Sequence, residues 1–213
     1  MRNLNVFYDE TLLKKVLKYN IENYRSYDPG AFLYRLVINY KGNKYSNEFI
    51  ELVYTTLISW NMNSRAAKLN KFESFKKSII DNMLIMKKLT KKNILDIEDE
   101  YVKEIISELF NKLKLVEKSK KTSLVTFTKA MHFYFPELIV PIDRAYTCKY
   151  FGGSIPSDIN GQLKKLFKIE NEFSSFRRNM KLKKYLDKKW NLCINKVMDS
   201  MVIGYILINK KKK

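Results

Sequence analysis

Between Thr11 and Tyr24 the chain reads TLLKKVLKYNIENY, with apolar residues returning every three or four positions and lysines between them. That spacing predicts a helix with one apolar face, and Asp9 stands ahead of it where a capping carboxylate belongs. Asp28-Pro29-Gly30 ends the segment, since proline restricts the residue before it and glycine follows at once. Ala31 to Tyr40 fits a short helix or a strand, and Lys41-Gly42-Asn43 turns the chain. Ser46 then caps a helix whose Phe49, Leu52, Val53, Thr56 and Leu57 fall on one buried stripe. Phe72 to Leu89 and Asp99 to Leu115 repeat the pattern, the second with acids at its start and lysines at its end. Ser123 to Phe135 forms the next helix and Pro136 stops it; a short extended run leads to Pro141 and Asp143, which open a helix through Phe151. Gly152-Gly153 breaks that helix, and Ile159 to Leu186 and Trp190 to Ile208 complete the set, the last with an apolar stripe that includes Leu192, Val197, Met201 and Ile208. There is no internal repeat and no low-complexity linker. The expectation is an all-α protein, a single helical domain over 1–213 that can divide into two lobes, with a groove lined by 57–69 and 114–151.

Composition adds a partner. The 213 residues hold 41 Lys+Arg against 22 Asp+Glu, a formal charge of +19, and such a field draws polyanions at long range. Nucleic acid is the expected partner, although the excess of lysine over arginine also suits coding by an A/T-rich genome. Two cysteines and one histidine leave no disulfide framework and no histidine-based metal centre, so neither a metal nor another cofactor is expected. The N-terminal MRNLNVFYDE lacks the apolar core of a signal peptide, and Val197 to Ile208 is too short and too flanked by charge to span a bilayer. A soluble cytoplasmic protein fits.

Three stretches can carry chemistry. In LISWNMNSRAAKL, Leu57 to Leu69, the Asn and Ser residues suit a helix junction; they equally suit a surface where Asn61 and Asn63 enter a base stack and Arg65 meets a phosphate. In the lysine-rich hairpin after Lys114, Ser119 or Thr122 can cap the next helix, while Lys118, Lys120 and Lys121 neutralise an anion held at its N-terminus. Lys121, among other cations, is also the best-placed amine nucleophile. In IVPIDRAYT, Asp143 sits at a cap position, able to accept N–H bonds from Ala145 or Tyr146, with Arg144 beside it. It is either a cap alone or a carboxylate at the rim of a cleft, opposite Lys121. His132 lies between Phe133 and Tyr134 and reads as a hydrogen-bonded core or rim histidine rather than a catalyst.

In this order, LISWNMNSRAAKL, LVEKSKKTSLVTFTKAMHF and IVPIDRAYT resemble the helix-hairpin-helix DNA glycosylase superfamily, which includes endonuclease III and the 8-oxoguanine glycosylases. The likeness covers about Phe49 to Phe151. It implies a two-lobed helical fold, a basic groove for lesion-bearing duplex DNA, a flipped base and cleavage of the N-glycosidic bond. By position Asp143 resembles the carboxylate that assists departure of the base, and Lys121 the amine that forms a Schiff base with the sugar. Asn61 and Asn63 look like the residues that fill the gap left by the flipped nucleotide. Lys118 and Lys120 would hold phosphate, with Arg65, Lys129 and Arg144 completing the DNA-facing set. The hairpin departs from the family's pattern, since Glu117, Lys118, Ser119 and Lys120 stand where glycines let backbone approach a phosphate. Lys129 is the alternative amine, a little over two turns along the same helix, and its distance to Asp143 decides between the two. With neither amine, Asp143 directs a water and base removal proceeds without strand cleavage. The rival from another class is a non-catalytic nucleic-acid-binding module on the same scaffold.

Overall fold

The computed structural model describes residues 3–23, 29–62, 68–117 and 123–210. Among them the regular structure is helical: α1 (Glu10–Glu22), α2 (Pro29–Ile38), α3 (Asn47–Ser59), α4 (Phe72–Asp81), α5 (Met83–Lys87), α6 (Glu100–Lys112), α7 (Leu124–Tyr134), α8 (Ile159–Asn179) and α9 (Ile194–Lys210). The protein is all-α. Leu69 and Val116 meet in an isolated antiparallel bridge.

Local chemistry explains where these helices begin and end. Asp9 accepts from Thr11 and Leu12 N–H, and Ser46 from Phe49 N–H, so both expected caps form. The ambiguous run after Gly30 is helical, as α2. Phe72 to Leu89, by contrast, is two helices rather than one. Asn82 leaves helical geometry between them while its amide donates to the Ser78 carbonyl at 2.8 Å, the competition with backbone bonding that makes asparagine a poor interior residue. The last two helices are shorter than their apolar spacing suggests. α8 stops at Asn179, and one carboxylate oxygen of Asp187 gathers the N–H groups of Lys189, Trp190 and Asn191 into a turn that delays α9 to Ile194.

Buried apolar residues from Leu4 to Ile206 form one continuous cluster. α1 lies against α9, where a Cβ on Gly204 would stand 2.1 Å from the Val16 carbonyl oxygen, so glycine is what allows the two backbones this close. α7 runs through the interior between α3 and α8, with nearly every side chain buried. Its start is closed from a distance: Ser123 makes no side-chain cap, and Gln162 of α8 instead accepts from Ser123 and Leu124 N–H at 3.0 and 3.1 Å. Two of the N–H groups that the sequence offered to a phosphate are therefore already bonded.

The extended run after α7 is fixed on both sides. Fully buried Glu170 accepts from Val140 N–H at 3.1 Å through one oxygen and 3.2 Å through the other; burial holds its carboxyl well above the usual range, and the Val140 bond offsets only part of that rise. His132 bridges the Tyr34 hydroxyl at 2.9 Å and the Ile139 carbonyl at 2.7 Å. It is a core histidine, its burial lowering the ring's pKa to about 3 despite the Ile139 bond. These contacts deliver Asp143 to its place.

Candidate active site

Lysine on a fully buried helix is costly unless the charge is paired. Lys129 is such a residue, 8 % exposed in the middle of α7. Its Nζ donates to Asp143 Oδ2 at 3.0 Å and stands 5.7 Å from the centre of the Trp60 ring. Asp143 serves two partners at once. While Oδ2 takes Lys129, Oδ1 accepts from Ala145 N–H at 2.7 Å and caps the turn that follows. That turn, Arg144–Cys148, is wound as a π-helix, with Cys148 N–H reaching back to the Asp143 carbonyl at 2.9 Å. Such one-turn distortions recur at functional sites. Burial pushes the Asp143 carboxyl up, but Lys129 and the N–H groups of Ala145 and Tyr146 outweigh it and hold it below its ordinary value.

The pair lines a cavity of about 380 Å³ bounded by the end of α3, the middle of α7, the Pro141–Tyr146 segment and α9, within the roughly 300–1,000 Å³ of small-ligand pockets. Trp60 and Trp190 supply its aromatic walls, their ring centres 5.8 Å apart, with Tyr34 behind them at 5.5 and 5.1 Å. Flat indole faces beside a cavity suit a flat, stacked guest.

Sequence reasoning missed a second pair in this cavity. Lys196 donates to Asp199 one helical turn along α9, and both residues are only 2 % exposed. The Lys196 ammonium lies 4.1 Å from the centre of Trp190 and 5.4 Å from that of Trp60. Burial raises the Asp199 carboxyl above its ordinary value, Lys196 opposes that rise, and the Asp143 charge adds to it. A signal was present, in the form of two opposite charges three residues apart within the apolar pattern INKVMDSMVIGYILI.

The other sequence candidates divide. Asn61 lines the cavity, in the left-handed region at φ 63°. Asn61 N–H donates to the Ile58 carbonyl at 2.8 Å and Met62 N–H to the Leu57 carbonyl at 3.1 Å, which is the Schellman ending of a helix; its conformation is thereby explained by α3 itself. Arg144 is exposed on the π-helical turn next to the ion pair. Lys121, Lys118, Lys120, Asn63 and Arg65 lie outside the described residues. Among the described residues no three His, Cys, Asp or Glu side chains gather as a metal site. Cys148 and Cys193 are buried thiols, raised by desolvation to about 11 and about 12, far from the thiolate state that nucleophilic cysteines need. No described helix is long and apolar enough to cross a membrane.

No protein-family model, no curated protein and no solved structure matches this chain.

Proposed function

We propose that the cavity is the base pocket of a DNA glycosylase with lyase chemistry, in which Lys129 is the amine and Asp143 the assisting carboxylate. One observation carries the reading: a buried lysine paired with the carboxylate of the Pro-Ile-Asp turn, at a cavity walled by two tryptophans. Lys129 is assigned as the amine because it stands against Asp143; Lys121 lies outside the described residues.

The pair suits displacement at an anomeric carbon. A flipped base stacks on the indoles and brings the sugar's C1′ toward the ion pair. As the N-glycosidic bond breaks, the Asp143 carboxylate offsets positive charge growing on the sugar. Lys129 gives one ammonium proton to the departing base, directly or through Asp143, and its freed electron pair bonds C1′. The products are the protonated base and a sugar carrying Lys129 as a cationic amine. Opening of the sugar ring then moves a further proton from that nitrogen to the ring oxygen and leaves a protonated imine, the species from which strand cleavage proceeds. The formal charge of +19 supports DNA as the partner through phosphate contact that weakens with salt.

The test incubates the protein with duplexes carrying oxidised, deaminated, alkylated or abasic sites, with and without borohydride. Base release and a reduced covalent adduct are expected on at least one of them, both absent in Lys129→Gln. No released base and no adduct on any substrate rejects the enzymatic reading. The rival, a non-catalytic binding module, has in its favour the hairpin residues Glu117 and Lys118 where glycines would admit a phosphate; it predicts DNA binding without turnover.

A further inference from the structure

The Lys196–Asp199 pair needs a reason to exist. A buried ion pair can often be replaced by well-packed apolar residues with no loss of stability, and α9 is apolar around this one, with Val197, Met198, Met201 and Val202 all buried. Lys129 and Asp143 account for the displacement chemistry without it. Yet Lys196 and Asp199 line the same cavity, and the ammonium lies 4.1 Å from the centre of the Trp190 ring that also borders it. Asp199 uses one oxygen for Lys196, while the other, Oδ1, is buried and has no hydrogen-bond partner among the described residues. An unpaired buried carboxylate oxygen is costly, which marks it as awaiting a donor. Lys196 likewise has three protons to give, and one of them goes to Asp199.

From this geometry we infer that Lys196 and Asp199 read the edge of the flipped base, and that the edge they fit is a lactam, a ring N–H beside a carbonyl, as in hypoxanthine, uracil or an oxidised purine. The inference rests on the cavity being a base pocket. Asp199 Oδ1 accepts the ring N–H, and Lys196 donates to the carbonyl oxygen. The charges select the lactam over the amidine edge of adenine or cytosine. As a lactam base departs, the electron pair of the broken bond spreads onto its carbonyl oxygen, where a fixed ammonium stabilises it; a ring nitrogen and an amino group offer Lys196 no such oxygen. An O-alkylated base loses both features at once, leaving Asp199 Oδ1 without a donor and Lys196 facing an ether.

Trp60 and Trp190 are the chain's two tryptophans and both line this cavity, so tryptophan emission, excited apart from that of the 14 tyrosines, reports on it. The experiment titrates the whole protein with inosine, with 6-methoxypurine riboside and with adenosine, exciting at the red edge of the indole band where none of them absorbs. Inosine is expected to change the emission and to bind roughly tenfold or more tightly than either of the others, a tenfold ratio corresponding to about 1.4 kcal/mol. Equal affinities for the three, tighter binding of adenosine, or no response to any of them overturns the inference. The double variant Lys196→Met/Asp199→Leu, an apolar replacement chosen to keep the fold, should bring the three affinities together while stacking persists; a preference for inosine that survives in it also overturns the inference. The nucleoside comparison itself requires no variant and no bond cleavage, so it separates from the glycosylase assay. Inosine preference without an imine adduct upholds the lactam reading against the lyase, and an adduct without that preference does the reverse.

Discussion

Two lysine–aspartate pairs face one cavity, and they differ in nearly everything except composition. Lys129 and Asp143 come from different segments, 14 positions apart, and the aspartate side chain keeps 28 % of its exposure. Lys196 and Asp199 share one turn of α9 and are each only 2 % exposed. The carboxyls are displaced in opposite directions: burial of Asp143 is outweighed by Lys129 and two backbone N–H groups, whereas burial of Asp199 prevails over Lys196. Pairs of titratable groups whose surroundings push them apart are a recurring mark of divided chemical labour. On the proposed reading the wetter pair, its second carboxylate oxygen fixed by a cap, keeps its charge to meet a developing cation. The drier one, with a carboxylate oxygen that has no donor among the described residues, would on the same reading meet a neutral base.

The largest effect expected from breaking this comparison is on the adduct. Lys129→Gln should abolish borohydride trapping, while Lys196→Gln should leave trapping on an abasic duplex in place, because an abasic sugar has no base edge to read. Next is Asp143→Asn, which retains a capping oxygen for Ala145 but loses the charge; base release should fall by about 10²–10⁴-fold, the usual contribution of a positioned acid–base group, with DNA binding kept. Stability separates the pairs after that. Asp199→Ala strands Lys196 without its carboxylate and should cost about 3–5 kcal/mol in denaturant unfolding, whereas Asp143→Ala also strands a buried lysine but opens a position that is 28 % exposed, where water can reach the ammonium, and should cost less. Equal costs would mean that the two pairs do not differ in burial as described.

The smallest effect is on pH dependence. The depressed Asp143 carboxyl stabilises the fold above its unfolded pKa of about 3.9 and loses that contribution as pH falls through its folded value. The raised Asp199 carboxyl has the opposite sign, contributing fully below the unfolded pKa and losing that contribution as pH rises through the folded one. In thermal melts from acid to neutral pH, Asp143→Asn should therefore soften the acid limb, and Asp199→Asn should remove a loss on the way up toward neutrality. Shifts of the same sign in both variants would contradict the assignment.

Much of the frame was legible in the chain. Apolar spacing at Phe49, Val53 and Leu57 and the caps at Asp9 and Ser46 are local features, and local physics fixes them. The carboxylate of the Pro-Ile-Asp turn stood out for the same reason. What did not show was whatever depends on distant partners. Gln162 closes α7 from 38 or more positions away, and no local pattern predicts a cap of that kind. Lys121 reads as the better amine because it lies in a cation-rich hairpin at a helix start, but the choice between amines is one of distance across folded segments; Lys129 meets Asp143, and Lys121 lies outside the described residues. Lys196 and Asp199 were read past because an apolar stripe along α9 satisfied the pattern without them. A charge inside an apolar stripe is the signal that deserved weight, and it applies to Lys129 as well.

The most direct test of the central claim is to locate the covalent bond. An abasic or lesion-bearing duplex is incubated with the protein and borohydride, the adduct is digested, and the modified peptide is sequenced by mass spectrometry. The account predicts a single reduced sugar adduct on Lys129. An adduct on Lys121, on Lys196 or on any other lysine, or no adduct at all, would contradict it.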